Sequence, residues 1–221
     1  MKNTFKYFFA AIALASTILV SGCEKDDTTD NLSKIVKVTY PGIKLNGDST
    51  IVLLKGATYT DAGAVLTDDI TGAKSDIKPL IDTVNVNRAG IYFVVFKAEN
   101  SNGFITLTRR PVIVLDSAYN GTVDLSGVFK RTANDALINI KKVNSGVYVV
   151  DNVGGFAAPP FAPVILIQTT DTTFQIPLQD GPNALGDIEC ELEEIVDGGA
   201  KLKWKVVNAS FFPSVRTFVR Q

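Results

Sequence analysis

After residue 34 the chain holds no helix-period segment of useful length. Short runs of β-branched and aromatic residues recur instead, roughly every 8–15 residues, separated by Gly, Asn and Asp, a spacing that confines the fold to an all-β sandwich or barrel. Hydrophobic residues make up 46% of the 221, enough to fill a core. A division is expected near Asp116-Ser117-Ala118, with residues 35–116 forming one β-domain and 117–221 a second.

In the first half the expected strands are 35–40, 50–54, 63–66, 84–87, 91–99 and 104–115. The run Ile91-Tyr92-Phe93-Val94-Val95-Phe96 is apolar on both faces, which suits a central strand. Pro111 interrupts the last run and cannot donate to a ladder, so a bulge or a switch between sheets is expected there. In the second half strands are expected at 121–129, 136–142, 146–151, 164–168, 174–178, 187–195, 201–207 and 214–219, forming an antiparallel sandwich or barrel. The clearest unit is a hairpin turning at Asp197-Gly198-Gly199. Ile188, Cys190 and Leu192 alternate with Glu189, Glu191 and Glu193; Leu202, Trp204 and Val206 alternate with Lys201, Lys203 and Lys205. One face is then apolar, and on the other acidic residues meet basic ones across the strands. Cys190 and Trp204 are read as core residues on the apolar face.

Residues 1–22 read as a leader. Lys2 and Lys6 precede an apolar stretch from Phe8 to Val20, too short for a permanent membrane span. The segment ends Leu19-Val20-Ser21-Gly22-Cys23, which resembles the lipobox of bacterial lipoproteins. The resemblance implies acylation of Cys23, with more than one lipid chain and therefore stable anchoring. Glu24-Lys25-Asp26-Asp27 resembles the acidic export signal of Bacteroidetes surface lipoproteins, which implies the outer face of the outer membrane. Residues 23–34, polar and without periodicity, are expected to form a flexible tether.

Two further resemblances concern the body of the chain. Gly56-Ala57-Thr58-Tyr59-Thr60-Asp61-Ala62-Gly63-Ala64 is similar to the G-x-x-Y-x-D-x-G-A stretch of bacterial surface immunoglobulin-like domains. Asp68-Asp69-Ile70-Thr71-Gly72 resembles the acidic turn that follows it, and Ala89-Gly90-Ile91-Tyr92 with Ala98-Glu99-Asn100 and Gly103 resembles a strand pair of the same family. Phe96 stands where that family often has tyrosine. This implies an N-terminal Ig-like β-sandwich, a spacer or binding module. Tyr119-Asn120-Gly121, Gly146 to Asp151 and Gly154-Gly155-Phe156 resemble the C-terminal β-domain of uncharacterised Bacteroidetes lipoproteins associated with polysaccharide utilisation. That likeness transfers context and no mechanism.

Chemistry is constrained mainly by what the sequence lacks. There is no histidine, which removes Ser-His-Asp and Cys-His catalysis and imidazole ligation. The formal net charge of −1 argues against nucleic-acid binding. No nucleophile elbow, phosphate-binding glycine loop or zinc pattern occurs, so an enzyme, a cofactor and a metal site are not expected. Asp61, Asp68 and Asp69 could be read as calcium ligands, but their irregular spacing suits turn chemistry better. The candidate ligand site lies in two loops: Asp151, Asn152, Phe156 and Phe161 in the first, Phe211 and Phe212 in the second. Their rings either plug one end of a barrel or form an exposed interaction patch. Asp82-Thr83-Val84 and Asp116-Ser117-Ala118 resemble the short O-glycosylation sequon of Bacteroidetes, at Thr83 and Ser117. The expected function is a non-catalytic, outer-membrane, cell-surface lipoprotein that binds glycan or assists a polysaccharide-uptake complex. The alternative is a structural or adhesive surface protein that contacts protein partners.

Overall fold

The computed structural model describes residues 38–181 and 186–221. The leader 1–22, Cys23 and the tether 23–34 lie outside the described residues, as do residues 35–37 of the first expected strand. Thr39–Gln221 form one compact unit.

The first half is an Ig-like sandwich of two sheets. One contains β1 (Gly42–Leu45), β3 (Ala64–Thr67) and β4 (Lys74–Ile77) in the order β1-β3-β4. The other contains β2 (Ile51–Leu54), β5 (Ile81–Asp82), β6 (Gly90–Glu99) and β7 (Ile105–Leu115) in the order β2-β7-β6-β5. Alternate residues of the two sheets meet around Ala64, Val94, Phe96 and Val112, with Ile43, Leu53 and Tyr92 packed against them. Strand β6 is central, as its two apolar faces require. Pro111 corrects the expectation of a bulge or sheet switch. It stays in register opposite Phe93, one residue before β7 begins its parallel pairing with β2 at Val112. Up to Pro111 that side of β7 is an open edge, so the missing N–H costs the parallel ladder nothing. Two other expectations are corrected: residues 38–40 and 84–87 are not strand, and β1 begins at Gly42.

The second half is a nearly closed barrel of eight antiparallel strands. These are β8 (Gly127–Arg131), β9 (Leu137–Asn144), β10 (Val147–Val150), β11 (Val164–Gln168), β12 (Phe174–Gln175), β13 (Glu189–Val196), β14 (Lys201–Val207) and β15 (Val215–Arg220). Each pairs with its neighbour in sequence, and β15 returns to β8, so the topology is up-and-down. Every second residue points inward. Phe129, Ile138, Ile140, Tyr148, Val150, Leu166, Phe174, Leu202, Trp204 and Phe218 fill the interior. The barrel therefore has a packed core, as a small barrel's taper allows. Trp204 stacks on Phe218 at 4.1 Å and meets Phe174 edge-on.

The seam between β12 and β13 is closed by single bonds. Cys190 N donates to Ile176 O (3.0 Å), Ile195 N donates to Thr172 O (2.8 Å), and Gln179 bridges to Ile188. The expected hairpin alternation breaks at this seam. Leu192 takes φ +57° and is exposed, and the register slips between Glu191 and Glu194. This bulge turns Glu193 inward, where its Oε1 accepts a bond from Ile176 N (3.2 Å). Ile195 replaces Leu192 on the apolar face. The cross-strand charge pairs survive in the shifted register: Lys205 with Glu191 (3.1 Å) and Lys203 with Glu194 (2.9 Å).

Ile113 and Leu115 of β7, with Val52 and Ile91, cover Val143, Val147, Ile165 and Ile167 on the barrel's outer wall. These barrel residues have the outward parity of their strands, so their apolarity is explained by the sandwich that covers them. A cleft of about 590 Å³ runs beside this layer, between Asp48–Val52 and Lys141–Asn144.

Candidate functional site

In the sandwich, the motif around Asp61 proves to be structural. Gly56 and Gly63 take φ +83° and +76°, conformations that favour glycine. Tyr59 OH donates to Asp61 Oδ2 (2.7 Å), and Gly63 N donates to Asp61 Oδ1 (2.7 Å). The same carboxylate accepts Arg110 Nη1 at 2.5 Å, and both side chains are almost fully buried. Arg110 Nη2 adds bonds to Asn46 O (2.6 Å) and Gly63 O (3.0 Å), and the guanidinium lies over Phe96. Burial pushes the Asp61 carboxyl up, but the bonds from Tyr59, Gly63 and Arg110 together outweigh it and hold the group below the ordinary carboxylate range. Asp68 caps its own turn, accepting from Ile70 N and Thr71 N, and reaches Ser101 N (2.9 Å). Asn100 Nδ2 ties Asp69 to Thr39 O. The carboxylates thus bond to the protein's own backbone and Arg110, as turn chemistry does.

The candidate ligand site lies at one end of the barrel. Up-and-down order sends alternate connections to opposite ends. The 132–136, 151–163 and 208–214 connections therefore share an end, which brings the two aromatic loops together. Phe156 and Phe211 stack at 5.2 Å, and Phe211 is 5% exposed. Asn152, 2% exposed, holds the first loop by a reciprocal pair of bonds with the Phe156 backbone (2.9 and 3.2 Å). Asp151 is exposed, and its Oδ1 accepts from Asn139 N (2.9 Å). Phe161 and Phe212 remain 43% and 80% exposed. The expected residues thus divide: Asn152, Phe156 and Phe211 plug the barrel, while Phe161, Phe212 and Asp151 face solvent.

Glycine is required where the loop crosses the barrel mouth. A Cβ at Gly154 would lie 2.6 Å from Phe211 and 2.7 Å from Phe156. Gly155 has φ +57°, and a Cβ there would strike Arg131 and Phe218. The Gly154 carbonyl accepts Arg131 Nη1 (3.2 Å) and Arg216 Nε (3.1 Å). Gly155 O accepts Arg131 Nη1 (3.2 Å) and Asn134 Nδ2 (3.0 Å). Arg216 also donates to Ser214 O (3.0 Å) and Phe212 O (3.1 Å), so it fixes both loops. Sequence reasoning missed Arg131, Asn134 and Arg216. The available signal was strand parity: Arg131 follows Phe129, and Arg216 precedes Phe218, by two residues each.

Of the expected glycosylation positions, Thr83 and Ser117 are both exposed. Asp82 Oδ1 caps Val84 N (3.1 Å), and Asp116 pairs with Lys55.

The structure joins an Ig-like sandwich to a filled up-and-down barrel whose long loops gather at one end. Residues 43–114 match the family model described as "Bacterial surface protein, Ig-like domain", which spans the sandwich almost end to end. A search of curated proteins gives no match. Among solved structures, the chain is similar to the crystal structure of the lipoprotein BT2262 from Bacteroides thetaiotaomicron. The identity is 23%, the match covers 82% of this chain and 100% of that one, and the TM-score is 0.40.

Proposed function

We propose that this chain is a non-catalytic cell-surface lipoprotein, anchored through Cys23, that binds glycan at the 151–163 and 208–214 loops or presents that end to a polysaccharide-uptake complex. One observation carries the binding reading: Phe161 and Phe212 stay exposed on loops whose backbones are pinned by Asn152, Arg131 and Arg216. Exposed rings on a rigid support stack on sugar faces without an ordering cost, which is what loop sites on scaffolds provide. The Ig-like sandwich supports a surface location and suits a stalk. Its apolar layer against the barrel wall, centred on Ile113 and Val147, suits a stalk that holds the barrel in one orientation.

Affinity electrophoresis through gels containing a panel of polysaccharides tests the binding reading. Retardation by at least one polymer, reduced by Phe212→Ala, is expected; mobility unchanged in every gel overturns it. Location has separate tests. Cys23→Ala is expected to release the protein from membranes, and protease added to intact cells is expected to digest the wild type. Ser117 and Thr83 are the proposed O-glycosylation positions, checked by intact mass of the native protein.

A second reading has its own observation. The outer face of the β5-β6-β7 sheet leaves Ile81, Ile105 and Leu107 exposed, an apolar strip of the kind that marks protein contacts. Loss of co-purifying surface partners on Leu107→Lys, with polysaccharide retardation intact, would favour adhesion through the sandwich.

A further inference from the structure

The barrel end that carries the aromatic loops also holds a charge that nothing nearby neutralises. Arg131 and Arg216 both have inward parity, and Arg131 pairs across the strands with Phe218, two residues from Arg216. The guanidiniums converge on one atom, the Gly154 carbonyl. Among the described residues neither makes an ion pair with a carboxylate, although nine Lys and Arg side chains elsewhere do. The acidic residues of the adjoining loops are engaged otherwise. Asp135 pairs with Lys130, and Asp151 accepts from Asn139 N.

The usual resolution of buried charge is a partner of opposite sign. Here the only acceptors are backbone carbonyls. Arg131 Nε is enclosed with no acceptor. Its Nη2 makes no hydrogen bond among the described residues and is not enclosed, since Arg131 as a whole is partly exposed. Burial lowers the pKa of both groups, and Arg131 lowers that of Arg216 further. Arginine nonetheless stays protonated at neutral pH, so two positive charges persist at one mouth. Arg216, 2% exposed, strengthens the field from behind, and Arg131 presents the accessible donor.

We infer that this mouth recognises an oxyanion carried on a sugar, either a uronate carboxylate or a sulfate ester, so that the ligand is an acidic polysaccharide. The inference rests on the glycan reading above and names its substrate class. Arg131 Nη2 donates to the oxyanion in a charge-assisted bond, and Phe161 and Phe212 contact the ring faces of neighbouring sugars. Adventitious retardation by acidic polymers is disfavoured, because the whole chain has a formal net charge of −1.

The test is affinity electrophoresis in gels containing polygalacturonate, chondroitin sulfate or dextran. Wild type is expected to be retarded by one or both acidic polymers, distinguishing carboxylate from sulfate, and not by dextran. Arg131→Gln is expected to weaken that retardation about tenfold, and Arg131→Lys, which keeps the charge, to recover part of it. Phe212→Ala, at an exposed site that does not threaten folding, is expected to weaken it as well. Equal retardation by dextran overturns the acidic-ligand inference and leaves the glycan reading standing. So does retardation by acidic polymers that a folded Arg131→Gln protein retains in full. No retardation in any gel overturns both.

Discussion

Trp204, at the centre of the barrel, donates its indole N–H to the carbonyl of Val153, 2.8 Å away. Val153 is fully buried and stands between Asn152 and the Gly154 carbonyl that both arginines share. The core therefore sets the position of the candidate site directly. Trp204→Phe keeps an aromatic ring but leaves the Val153 carbonyl without its donor. The expected cost is about 2–4 kcal/mol, from the lost bond and the smaller ring. Chemical denaturation measures it, and hydrogen exchange should show faster opening of 151–163 than of β8 or β15.

The Asp61–Arg110 pair makes a second prediction. Breaking a buried pair from one side strands the other charge, so Asp61→Asn should cost about 3–5 kcal/mol. The carboxyl of Asp61 is lowered in the fold. Its contribution is thus present above the unfolded Asp value of about 3.9 and lost as pH falls through the lower folded value. Wild type should lose stability over that acid window, and Asp61→Asn should lose less, as thermal melts across pH would show.

Glu193 is expected to behave in the opposite sense. Burial at the seam raises its carboxyl pKa, outweighing the bond from Ile176 N. A raised carboxyl favours folding while protonated, and that advantage is lost as pH rises from the unfolded Glu value through the folded one. Glu193→Gln keeps an acceptor for Ile176 N without the charge. It should be more stable than wild type at pH 7, with the difference shrinking below about pH 4, near the unfolded Glu value. A less stable variant at pH 7 would show that the charge itself supports the seam.

The layer joining sandwich and barrel predicts shared unfolding. Ile113 is fully buried against the barrel wall. The segment from Thr39 should melt as one cooperative transition, and Ile113→Asp should split it in two. Two calorimetric peaks already present in wild type would contradict the coupling.

Much of the fold was legible because period-2 patterns report strands well. The runs at β6, β11 and β14 fall where alternation and β-branched residues place them. Short strands such as β4, Lys74-Ser75-Asp76-Ile77, were not legible, since three of their four residues are exposed and polar. Leu192 misled because one extra residue in a bulge inverts the parity of everything before it, and the bulge exists only to serve the seam with β12. The candidate site was half legible. Aromatic residues in Gly- and Pro-rich loops marked the right end of the barrel, but only the structure separates the plug, Phe156 and Phe211, from the exposed Phe161 and Phe212. Arg131 and Arg216 were hidden because arginine in a strand ordinarily reads as outward-facing.

The same division predicts contrasting variants. Phe212→Ser, at a residue 80% exposed, should change stability by no more than about 0.5 kcal/mol while weakening retention by polysaccharide. Phe211→Ala, in the plug, should cost about 3–5 kcal/mol.

The central claim is that ligand binds at the barrel end and nowhere else on the described surface. Amide chemical-shift mapping with an oligosaccharide prepared from a retarding polymer tests this most directly. The account predicts shifts concentrated in residues 131–134, 151–163 and 208–216. Shifts confined to the sandwich, or to the cleft between Asp48–Val52 and Lys141–Asn144, would contradict it.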